Sequence, residues 1–218
     1  MRVASTQYHA TMQSALQNAE HQLEHVMQQM AAGLRVLRPS DDPVTNVRLS
    51  RLTREEAALQ QYLANIGALR SRLQQNESLL DGMTQDMLDA RDLLVWASDG
   101  GNTSRDVEAM AGSLAAIRDS LFYSSNIKDQ EGRYLFSGTV TSTQTIQYAA
   151  SAPAGSRYGA AGNTDLQRVV VGNGVTEAAN VTLAEMSDVL NRLDLAVATL
   201  QVPGVNINDP AVRADVVA

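Results

Sequence analysis

Apolar residues near the start of the chain fall into a heptad-like stripe. Met12, Leu16, Ala19, Leu23, Val26 and Met30 alternate spacings of four and three, which sets all six on one face of a helix. The residues between them are mostly Gln, Glu, His and Asn, which suit a solvated face. The pattern ends near Gly33, and Pro39-Ser40-Asp41-Asp42-Pro43 then breaks any helix. Asp41 or Asp42 is placed to cap the next helix, with Pro43 as its first residue.

A second pattern is longer. Leu52, Leu59, Ile66, Leu73, Leu80, Met87 and Leu94 recur every seven residues and predict the packed seam of a helix. Leu49 and Leu63, then Leu69, Met83 and Ala90, form flanking rows. No proline interrupts Val44 to Ser98, and Trp96 reads as a packing anchor. Leu52 to Leu94 alone corresponds to ~65 Å of helix. That length predicts a rod packed along other helices. Ser98-Asp99-Gly100-Gly101-Asn102 reads as a turn, and Thr103 with Asp106 as a capping box. A third helix carrying Val107, Met110, Leu114, Ile117 and Leu121 should return antiparallel, because the connection is short.

The texture changes near Gly132. Between Thr139 and Gln167 only Arg157 and Asp165 are charged, and small residues dominate. This stretch lacks a period and reads as tolerant of substitution. Arg168-Val169-Val170-Val171 predicts a strand, and Gly172-Asn173-Gly174-Val175 a hairpin turn. Met186, Val189, Leu193, Ala196 and Leu200 mark a fourth amphipathic helix, and Asp209-Pro210 opens a fifth. The expected fold is mainly α: an elongated antiparallel helical rod with a small β-rich insertion. Its expected divisions are an N-terminal helix and turn (1–43), the rod (44–132 with 182–218) and the insertion (133–181).

Composition narrows the function. A net charge of −7 argues against a large nucleic-acid footprint. With no cysteine, thiolate chemistry and disulfides are impossible. Aromatic residues are only 4% of the chain, so the core must rest on aliphatic side chains. No apolar run approaches the ~18 residues of a membrane span, and no apolar segment resembling a cleaved signal follows Met1. His21 and His25 share a helix face, but HExxH is absent and a polar face explains them better than a metal. Arg48, Arg51 and Arg54 precede Glu55 and Glu56 and read as solvated surface. No phosphate loop is present, and Ser137 lacks the GxSxG elbow. No catalytic site, metal or cofactor is expected.

Four motifs carry a resemblance. Residues Gly33 to Val44 (Gly-Leu-Arg-Val-Leu-Arg-Pro-Ser-Asp-Asp-Pro-Val) resemble the G-x-R-V-x-x-P-S-D-D-P pattern of the hook–filament junction family, within the flagellin superfamily. Tyr62-Leu63-Ala64-Asn65-Ile66 is similar to its Y-L-x-N-I, and the stretch Ala90 to Gly100 to its A-R-E-L-A-V-Q-A-x-N-G. Gly132 to Gly138 resembles G-R-Y-L-F-S-G. Flagellins usually carry Asp-Asp-Ala-Ala-Gly where this chain has Asp41-Asp42-Pro43-Val44-Thr45.

The resemblance implies a structural subunit exported through the flagellar apparatus without a cleaved signal and assembled where hook meets filament. It implies four kinds of partner: copies of itself, a neighbouring hook-associated protein on the hook side, flagellin on the filament side and an export chaperone. No nucleic acid and no membrane are among them. It also implies assembly roles for Arg35, Asp41 and Asp42, beside the stripe of Met12, Leu16, Leu23, Val26 and Met30. In the family a long C-terminal helix pairs with the N-terminal one. Here such a helix would only begin near Pro210, so the stripe is expected to lack that partner. A flagellin filament subunit is the first alternative. A cytoplasmic coiled-coil adaptor, the second, would share the heptads but not the proline break and insertion.

Overall fold

The computed structural model describes residues 2–38 and 40–217. Met1, Pro39 of the helix break and Ala218 lie outside the described residues. Five helices occur in the order α1 (Arg2–Ala32), α2 (Pro43–Ala97), α3 (Ser104–Ser125), α4 (Met186–Leu200) and α5 (Pro210–Val217). Between α3 and α4 lie β1 (Ile146–Tyr148), β2 (Tyr158–Ala160), β3 (Arg168–Gly172) and β4 (Val175–Ala178). The fold is mainly α with two small antiparallel hairpins, β1–β2 and β3–β4. The chain divides into two units, residues 1–61 and 62–218.

In the first unit, α1 stops where only glycine is comfortable. Gly33 takes φ +63, and the Leu34 N–H turns back to the Gln29 carbonyl at 3.2 Å. The last carbonyls of the helix are satisfied this way. Asp42 opens α2: its carboxylate accepts from the Thr45 N–H at 3.0 Å, and Pro43 takes the first helical position.

In the second unit the core joins α2, α3, α4 and α5 with the β1–β2 hairpin. The third helix begins at the expected capping box of Thr103 and Asp106. Val107, Leu114 and Leu121 of α3 are buried, as are Met186, Leu193, Ala196 and Leu200 of α4. Ser120 of α3 donates to Asp86 of α2 at 2.8 Å, in keeping with antiparallel neighbours.

Three sequence expectations need correction. The packed seam of α2 is not the Leu52-to-Leu94 row. Its buried positions are Leu69, Asn76, Met83, Ala90 and Ala97, also seven apart but displaced by three residues. Leu52, Leu59, Ile66 and Leu73 are exposed, and Leu80, Met87 and Leu94 only flank the core. Two heptad rows three residues apart share one stripe, and periodicity alone does not say which of them faces the core. The buried row mixes sizes, Leu69 and Met83 with Ala90 and Ala97, and Ala90 borders a cavity of roughly 230 Å³ lined also by α4 and α5. Trp96 is exposed, so it anchors no packing within the described residues.

The third correction concerns residues 139–167, which are not a passive loop. Ile146 and Tyr158 are buried in the main core. Two asparagines grip the hairpin's backbone. Asn126, at the end of α3, accepts from the Ile146 N–H and donates to the Ile146 carbonyl, at 3.1 and 3.0 Å. Asn191 of α4 does the same for Tyr158, at 2.9 and 2.8 Å. These side-chain amides stand in for the neighbouring strand that a two-stranded hairpin lacks.

The β3–β4 hairpin forms where expected, with Asn173 and Gly174 at its turn. Gly174 alone takes positive φ (+71), and the ladder is irregular between Val170 and Gly172. A type I′ turn would need positive φ at Asn173 as well.

Candidate functional site

The strongest candidate is a surface, and α1 builds it. Met12, Leu16, Leu23, Val26 and Met30 are between 49% and 78% exposed. Tyr8 and Met27 are exposed beside them. All lie in a helix of 31 residues whose remaining positions are mostly polar residues and alanines. An apolar strip of this kind gains free energy only when another helix or chain covers it.

A polar turn closes the same unit. Arg35 donates to Asp42 Oδ2 at 2.9 Å and to Thr45 Oγ1 at 3.3 Å. Thr45 Oγ1 donates to Asp42 at 2.6 Å. These bonds, those from Thr45 first and that from Arg35 after, lower the Asp42 pKa from the ordinary 3.8 to about 2. Asp41 works separately: it accepts from the Leu37 and Arg38 N–H groups at 3.2 and 2.9 Å. From the α1 side, Gln29 donates to the Arg35 carbonyl at 2.6 Å and contacts the His25 ring at 3.0 Å. Arg35 and Asp42 therefore meet directly, and Asp41 shapes the loop next to them. The stripe residues enter none of these bonds. His25 has a side-chain partner in Gln29 one turn along α1, and among the described residues no group of three or more His, Cys, Asp or Glu gathers as metal ligands would. Among the described residues, too, no helix is long and apolar enough to cross a membrane.

Sequence reasoning missed one polar centre in the second unit. Asp194 is 1% exposed within the apolar face of α4. It accepts from Arg118 of α3 at 2.9 Å, from Arg157 at 3.3 Å and from the Gly155 N–H at 3.1 Å. One carboxylate thus ties α3, α4 and the loop between β1 and β2. Burial works against the Arg118 charge, but its hydrogen bond to Asp119 and the fields of Tyr158, Asp119 and Asp194 outweigh that and raise its pKa. Burial raises the pKa of the neighbouring Tyr158 phenol, and Arg118 opposes the rise. Phe122, Tyr148 and Tyr158 pack around this centre with ring centroids 5.1 to 6.5 Å apart. The available signal was a lone aspartate between Leu193 and Ala196 on a stripe otherwise apolar. A charge there needs a buried partner. This centre is a structural clamp and offers no free nucleophile.

Residues 3–141 match the family described as the bacterial flagellin N-terminal helical region. Flagellar hook-associated protein 3 of Salmonella typhimurium is 27% identical over 171 residues, covering 78% of this chain and 54% of that protein. Flagellar hook-associated protein 3 of Escherichia coli is 28% identical over 143 residues, covering 66% and 45%. The chain thus spans about half the length of these curated relatives. The solved structure of a flagellar hook-associated protein from Vibrio parahaemolyticus is 34% identical, with a TM-score of 0.72, over 82% of this chain and 78% of that one. Helical periodicity, the capped turn at Asp42 and these likenesses agree: the chain belongs to the flagellar hook-associated proteins that carry the bacterial flagellin N-terminal helical region.

Proposed function

We propose that this chain is a structural subunit of the bacterial flagellum that joins hook to filament and works by packing, not by catalysis. The observation that carries the proposal is the uncovered face of α1. Burying one Leu or Met side chain is worth ~1.5–3 kcal/mol, so five of them forgo on the order of 10 kcal/mol when left wet. A face of that size is the natural seat of inter-subunit contacts. Arg35, Asp41 and Asp42 serve assembly by holding the turn between α1 and α2. The 1–43 segment is the assembly arm, residues 44–132 and 182–218 form the rod, and 133–181 form its outer insertion.

The partners in this reading are copies of the chain, a neighbouring hook-associated protein, flagellin and an export chaperone. Contact between copies is heterologous, so it propagates along the structure and does not close into a dimer. The protein reaches the cell exterior through the flagellar export route without a cleaved signal. The relatives' names and the Asp41-Asp42-Pro43 motif favour a junction over a filament subunit.

Antibody labelling of intact flagella tests the proposal. One band at the hook–filament boundary is expected. Labelling along the whole filament would reassign the chain to the filament itself. Deleting residues 1–40 from the complete protein should abolish incorporation and motility, and a motile strain with normal filaments would remove the role given to α1.

A further inference from the structure

The core-facing side of α2 carries a polar pair that the assembly reading does not use. Asn76 sits in the middle of the buried row, between Leu69 and Met83, and is 1% exposed. Neither its Oδ1 nor its Nδ2 bonds to any described residue. Arg72 lies one turn earlier. Its Nη1 donates to Gln167 Oε1 at 3.1 Å, yet its buried Nε has no hydrogen-bond partner among the described residues. Residues four apart on a helix stand one above the other on the same face. The Arg72 Nε–H and the Asn76 amide are therefore buried on one helix face without a partner among the described residues, although such groups are ordinarily paired.

The donor set decides what could fill the site. Two of the three groups are N–H donors and one belongs to a guanidinium, so a cation is repelled. An anion would suit Arg72 but would meet Asn76 Oδ1, which is an acceptor. A neighbouring chain cannot reach atoms that are already buried. Water fits: its oxygen accepts from the two N–H groups and it donates one hydrogen to Oδ1. Buried waters typically make about three such bonds. There is also a way in. A groove of roughly 350 Å³ runs along the same helix, lined by Asn76 itself with Leu73, Leu80, Asp81, Thr84 and Val181.

We propose that Arg72 and Asn76 hold one ordered, long-lived water on the inner face of α2. The water fixes the Arg72 side chain so that its far nitrogen reaches Gln167, which in turn donates to the Gly138 carbonyl at 2.7 Å. The joint between α2 and the insertion is thus polar and hydrated.

A high-resolution crystal structure of the full chain tests this directly. The expected result is density for one water within hydrogen-bond distance of Arg72 Nε and of the Asn76 amide. A dry position, or an Asn76 amide turned onto protein atoms, would overturn the proposal. A solution measurement guards against crystal effects. Magnetic relaxation dispersion of solvent oxygen should show the long-lived signal of the parent chain fall by one molecule in Asn76→Leu, which keeps the volume and removes the bonds. An unchanged signal in that variant overturns the assignment, and if the variant does not fold the parent crystal structure still decides.

Discussion

Helices α1 and α4 present the same pattern and meet opposite fates. Each carries apolar residues three and four apart along one face: Met12 to Met30 in α1, Met186 to Leu200 in α4. In α4 that face is buried, with Leu190 fully enclosed and Leu193 and Leu200 almost so. In α1 it is open to solvent throughout. The difference does not lie in the helices. It lies in what stands opposite them: α3, α5 and the β1–β2 hairpin cover α4. A stripe therefore states where a helix will be covered. Whether the cover comes from the same chain is a separate fact, and under the function proposed above the exposed stripe is the one that meets other subunits.

This contrast can be broken most severely from the α4 side. Leu190→Ala should cost about 2–5 kcal/mol, because a fully enclosed side chain leaves a cavity behind. Chemical denaturation of the second unit reads that loss. A midpoint equal to the parent's would show that α4 is not the core element described above. Next in size is Asp194→Ala. Arg118 keeps Asp119 as a partner at 2.9 Å, so the loss comes mainly from the orphaned Gly155 N–H and the lost Arg157 ion pair. About 1–3 kcal/mol is expected. The Tyr148 and Tyr158 resonances should shift with it if the clamp holds the hairpin on the helices.

Smaller effects sharpen the α1 side. Asp42 has a depressed pKa, so its contribution is complete above the ordinary value of 3.8 and is lost as pH falls through about 2. The Thr45 amide resonance, followed by acid titration, should move with a midpoint near that lower value. A midpoint near the ordinary carboxylate value would mean that the turn is not held by these bonds. The smallest effect belongs to Leu16→Ala. Exposed and away from any cap, it should change the unfolding free energy of the isolated chain by less than about 0.5 kcal/mol. The same substitution should impair incorporation into flagella. A large loss of stability instead would show that the α1 face is covered within the chain.

Much of this molecule follows from sequence alone, for local reasons. The stop at Gly33 needs a residue that tolerates positive φ, and the starts at Pro43 and Ser104 need capping groups supplied within a few residues. Helix faces follow from a fixed angular step per residue. The turn network of Arg35, Asp42 and Thr45 is equally local, which is why the motif was legible.

Tertiary structure decided what depends on distant partners. It chose the Leu69–Ala97 row over the Leu52–Leu94 row, because periodicity marks a stripe and only the neighbouring elements decide which edge of it is covered. It gathered Arg118, Arg157 and Asp194 from positions up to 76 residues apart into one buried cluster that no local spacing encodes. It turned Ile146 and Tyr158 into core residues by bringing Asn126 and Asn191 against their backbone. And it covered the stripe of α4 while leaving that of α1 open, because burial is a property of two surfaces and a sequence pattern describes only one.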